Sequence, residues 1–85
     1  MTQHALNPAL LRRTDEVGLS ERTAACLTSA NVVYIGELVQ MTEMELLRGP
    51  HIGRGGLHEI KVMLKGLGLH LGMEIPSWPP PNLGR

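Results

Sequence analysis

The sequence predicts an all-α fold: a compact bundle of four to five short helices, two of which meet in a helix-hairpin-helix. Three observations lead there. Leu57, Ile60, Leu64 and Leu67 recur at steps of three and four, which is one face of a helix. Helix-entry signatures stand at Ser20-Glu21 and over Thr42–Glu45. The chain has 85 residues, room for one small core, and with one Trp, one Tyr and no Phe that core must be aliphatic.

Taken in order, residues 1–6 form a loose arm, residues 7–80 the helical domain, and residues 81–85 a tail. Asn7-Pro8 is a turn signal, after which Leu10 and Leu11 anchor the arm. Ser20 is an N-cap and Glu21 favours the positive end of the helix dipole. That first helix runs to about Ala30, with Ala24 and Leu27 facing inward and Asn31 closing it. Tyr34 to Val39 forms a short helix with Ile35, Leu38 and Val39 on its apolar face. Thr42 and Glu45 make a capping box for a third helix of about two turns. Gly49 and Pro50 stop it, because glycine accepts a left-handed closing conformation and proline cannot continue a helix. Gly53, Gly55 and Gly56 turn the chain tightly. A long fourth helix follows and ends near Gly66 or Gly68. Leu69, Leu71, Met73 and Ile75 are apolar at alternate positions and pack as an extended tail. Trp78 then lies between Pro76 and the stiff run Pro79-Pro80-Pro81.

The glycine-rich turn is the first pointer to function. A helix opening from it presents free N–H groups and a positive dipole end, which suit a phosphate. A turn that merely joins two packed helices would look the same. Charge is distributed unevenly around it, although the formal net charge is zero. From Asp15 to Glu45 six acids face one base, Arg22, whereas from Arg48 to Lys65 four bases face one acid, Glu59. Such segregation fits a nucleic-acid face and a separate protein face.

Other chemistries find little support. The histidines His4, His51, His58 and His70 share no ligand spacing with Cys26, so no metal or other cofactor is expected. Nothing supplies an orienting group or oxyanion hole for a Cys–His nucleophile, no phosphate-binding loop ends in Gly-Lys-Ser/Thr, and no small-molecule substrate is implied. No catalytic residue is assigned. Few aromatics means no base-stacking platform. No apolar run reaches membrane-span length, the N-terminus is unlike a signal peptide, and a single cysteine excludes an internal disulfide. The expectation is a soluble cytoplasmic domain with no membrane partner.

From Asn7-Pro8 to Trp78-Pro79-Pro80 the sequence resembles the C-terminal domain of the bacterial RNA polymerase alpha subunit. The segments that carry the resemblance are NPALLR, LSERTAACL, YIGELVQMTEMELLR, IGRGGLHEIK and GLHLGMEIPSWPP. It implies a nucleoid-associated transcription module that binds the minor groove of A/T-rich duplex DNA weakly and touches RNA polymerase, sigma factor or activators. Arg22 would enter the minor groove, where a narrow A-tract carries enhanced negative potential. Cys26, Gly53, Gly56 and Glu59 match the same face, with Cys26 equally readable as a packed thiol. Arg54 and Lys61 are added as phosphate contacts. Glu16, Thr42, Glu43 and Glu45 match surfaces used for protein partners.

The sequence also departs from that pattern. Ala25 stands where the family usually has asparagine, and Gly53-Arg54-Gly55-Gly56 where it usually reads Gly-x-Lys-Ser. Gly18 replaces a frequent second acid, and Glu74 a frequent base. A groove contact, a phosphate contact and a hydroxyl are therefore missing. The large N-terminal part of alpha is not in this sequence, which reads either as an excised domain or as a free-standing relative. The alternative function is a protein-interaction adaptor whose DNA binding is weakened or lost.

Overall fold

A computed structural model describes residues 8–49, 52–76 and 78–80. The expectations for the arm over 1–6, for Asn7, Pro50, His51, Pro81 and for the tail over 81–85 lie outside those residues. Two 3-10 turns, Pro8–Leu11 and Thr14–Glu16, lead into four α-helices: α1 (Glu21–Ser29), α2 (Ile35–Leu38), α3 (Glu43–Arg48) and α4 (Arg54–Gly66). No strand occurs among the described residues, and Arg13 and Tyr34 form an isolated antiparallel bridge.

Local chemistry sets the helix ends. Ser20 Oγ accepts the Thr23 N–H at 3.3 Å and starts α1. The box at α3 is complete, since the Thr42 N–H donates to Glu45 Oε1 at 2.8 Å and the Glu45 N–H donates to Thr42 Oγ1 at 3.1 Å. Glu37 Oε1 accepts the N–H groups of Val33 and Tyr34 at 2.8 and 3.1 Å and so closes the entry to α2. α1 and α4 end on the same motif. Asn31 (φ 66°) and Gly68 (φ 76°) are left-handed, and the residue after each donates back to Leu27 and to Leu64 respectively.

Leu27, Ile35, Leu38, Val39, Ile60 and Leu64 are wholly buried, with Leu10, Leu46, Leu57 and Leu69 closing the cluster around them. Removing each of these side groups from water is worth about 1.5–3 kcal/mol. After α4 the chain returns across the bundle as a strap. The N–H groups of Gly72 and Met73 donate to the carbonyls of Met41 and Val39, and Trp78 lies on Gly36, where a Cβ would overlap its six-membered ring. Tyr34 packs beside that indole, with centroids 6.2 Å apart.

Several local expectations are corrected. Gly49 is extended (φ −66°, ψ 146°), not left-handed. Gly55 and Gly56 are not in the turn but in the first turn of α4, and none of the trio at 53, 55 and 56 has a positive φ. Of the pair expected to anchor the start, Leu10 is buried and Leu11 is exposed. On α1 the buried partner of Leu27 is Thr23 rather than Ala24, and burial of its hydroxyl is possible because that hydroxyl is hydrogen-bonded.

Candidate nucleic-acid interface

The N-termini of α1 and α4 are brought together by one side chain, Glu59. Its Oε1 accepts the Ser20 N–H at 2.7 Å, and its Oε2 accepts the hydroxyls of Ser20 at 3.1 Å and Thr23 at 3.0 Å. The carboxylate is therefore tied across 39 residues of sequence to the first turn of another helix. Its pKa is lowered, chiefly by the Ser20 N–H, with the two hydroxyls adding to the effect and partial desolvation opposing it.

Around this clamp lies a cleft of about 550 Å³. Arg22 and Thr23 form its α1 wall, Gly53, Gly55 and Gly56 its α4 wall, and Glu59 and Ile52 join the two. Arg22 is exposed on the first turn of α1. α4 starts without a side-chain cap, because its N-cap is Gly53, and the first intrahelical bond is from the Leu57 N–H to the Gly53 carbonyl at 3.0 Å. The N–H groups of Arg54, Gly55 and Gly56 precede that bond, so the helix itself provides them no acceptor. A Cβ at Gly53 or Gly55 would meet nothing within 4 Å, and one at Gly56 would only touch Ile52 and Thr23. The glycines are thus not demanded by packing; they leave the backbone open from outside.

Four of the seven residues expected to touch DNA (Arg22, Gly53, Gly56 and Glu59) line this cleft. Cys26, one turn beyond Arg22, is half-buried and lines the adjoining depression of about 240 Å³ with Ala30, Leu46, Gly49 and Ile52. Ile52 is common to both depressions. Arg54, first residue of α4, is exposed and is not part of the cleft wall. Lys61 is placed elsewhere. Two residues along a helix is a rotation of about 200°, so Lys61 projects from the flank of α4 opposite Glu59. There its ammonium is 3.1 Å from Glu43 Oε2.

The residues expected to contact proteins also divide. Thr42, Glu43 and Glu45 stand together at the start of α3, two of them in the capping box and Glu43 on Lys61. Glu16 ends the second 3-10 turn, and the residues after it, Val17 to Leu19, line a depression with Glu59, Val62 and Gly66. Ser20, Thr23 and Ile52 join the cleft without having been expected there. The Ser20 cap was legible, but its second partner lies 39 residues away and leaves no local signal. Among the described residues no three His, Cys, Asp or Glu side chains gather to hold a metal ion, and no helix is long and apolar enough to cross a membrane.

Comparison with known proteins agrees with this architecture. Residues 2–66 match the family described as the C terminal domain of the bacterial RNA polymerase alpha chain. The NMR structure of the C-terminal domain of the RNA polymerase alpha subunit from Helicobacter pylori superposes with a TM-score of 0.71 at 30% sequence identity. That match covers 91% of this chain and 70% of the other.

Proposed function

Since the protein belongs to the family of the C-terminal domain of the bacterial RNA polymerase alpha chain, and is thus a transcription module, we propose that its cleft holds the minor groove of A/T-rich duplex DNA. The observation that carries this reading is the meeting of Arg22 with the uncapped start of α4 across the Glu59 clamp. The Arg22 guanidinium would enter a narrow groove and read its potential more than its base identity. The open N–H groups at the start of α4 would face a neighbouring phosphate. Arg54 adds a cation at the same helix end, and Cys26 with Ile52 forms the apolar continuation of the surface. Lys61, turned to Glu43, belongs to the other flank in this reading. Ala25, Gly55 and Gly56 reduce the number of groups that can reach DNA, so binding is weak.

The expected result is binding of a fluorescently labelled A/T-rich duplex that falls steeply with salt and is abolished by Arg22→Ala. Absence of binding at low salt, or indifference to Arg22, would overturn the reading. The domain would act in the cytoplasm, with RNA polymerase, sigma factor or activators meeting Glu16 and the Thr42–Glu45 end of α3. A second reading, an adaptor that works through those protein contacts alone, is favoured by the lack of any side group at Gly55 and Gly56 to hold a phosphate. A pull-down that recovers neither polymerase, sigma factor nor regulator would count against it.

A further inference from the structure

The Lys61 flank of α4 carries a depression of its own, about 640 Å³, which shares no lining residue with the Arg22 cleft. Lys61 and Lys65 stand one turn apart on its helical wall, and Val62 beside them is 57% exposed. Leu71 and His70, from the strap that follows α4, form the facing wall. The His70 ring is held there, its Nδ1 2.8 Å from the Leu71 carbonyl. Glu43 is the acid of this groove and is occupied by Lys61, while Lys65 makes no ion pair among the described residues. Two cations thus border an apolar strip.

We propose that this groove docks an acidic segment of a partner protein, one that carries an aliphatic side group between its carboxylates. The aliphatic group covers Val62 and Leu71. One carboxylate meets Lys65, and another replaces Glu43 on Lys61. That exchange costs little, because an ion pair about half exposed on both sides contributes little by itself and one carboxylate takes the place of another. Charge complementarity then sets orientation and partner choice. A nucleic-acid backbone fits this wall less well. It offers no apolar group to cover Val62 and Leu71, which a peptide with an aliphatic side group does.

The test is an NMR amide-shift titration of the 85-residue chain with an acetylated octapeptide alternating Asp with Leu, run beside an A/T-rich duplex. The peptide should shift Lys61, Val62, Lys65 and Leu71, and the duplex should leave those amides in place. Lys65→Glu should weaken the peptide about tenfold, Glu43→Gln should tighten it, and Val62→Asn should weaken it while the circular dichroism of all three stays that of the wild type. Peptide shifts that map to Arg22 and Gly53, peptide affinity indifferent to Lys65→Glu, or duplex shifts at Lys61 and Lys65 would each overturn the proposal. Because the duplex is followed in the same spectra, failure of the groove and failure of the DNA reading give different patterns.

Discussion

On one flank of α4 the Glu59 carboxylate is gripped by three donors from the first turn of α1, at 2.7, 3.1 and 3.0 Å. On the opposite flank the Lys61 ammonium meets one oxygen of Glu43 at 3.1 Å, with both side chains 52% exposed. The first arrangement joins two helices through converging bonds that also cap one of them, so any shift of α1 against α4 breaks several at once. The second is a single contact in water that either partner can leave. A fixed polar group suits a surface that must present an arginine at a set distance from a helix start. An exchangeable one suits a surface that trades partners.

The contrast can be removed altogether. Leu64 is wholly buried on the stripe that separates the flanks, and Leu64→Ala should cost about 2–5 kcal/mol. Urea unfolding should show this, with duplex and peptide responses lost together; loss of only one would mean that the flanks are supported separately. Next in size is Gly55→Lys, which finds open space around its new Cβ. It should raise the salt slope of duplex binding by about one unit without disturbing the fold, and an unchanged slope would place Gly55 away from phosphate.

The clamp can also be released by acid. Glu59 has a lowered pKa in the folded protein, so its contribution is fully present above the usual glutamate value of about 4.3. It is lost as pH falls through the lower folded value. Thermal melts of wild type and Glu59→Gln should therefore differ most near neutral pH and converge below that range. A difference that grows on acidification would contradict the clamp. The smallest effect belongs to Lys61→Ala, for which less than about 1 kcal/mol of stability is expected, with no change in the duplex salt slope. A drop of one unit in that slope would return Lys61 to the DNA surface.

What the sequence made legible was local. Ser20, the Thr42–Glu45 box, Asn31 at the end of α1, and the α4 stripe of Leu57, Ile60 and Leu64 all rest on neighbours within a turn, and each is found where those rules put it. The 3-10 turns escaped, because Thr14 is held by bonds to Val32 and Val33, about eighteen residues on. The glycine trio differs from expectation in detail. Gly53 is extended and Gly55 and Gly56 open α4 instead of forming the tight turn, since here glycine leaves space instead of permitting a bend. Arg22 is singled out by resemblance, but its place in one cleft with Glu59 exists only once both helices have folded.

Trp78 has a use that follows from where it rests. It is the sole tryptophan of the sequence, it lies on Gly36 beside Tyr34, and it lines none of the three depressions along α4 described above. Its emission therefore gauges whether the C-terminal strap is seated on α2 and stays silent when ligands load elsewhere. Paired with helical circular dichroism, that one chromophore separates lifting of the strap from melting of the bundle. The domain thus carries an internal optical control for the duplex titration, whose cleft contains no residue of the strap.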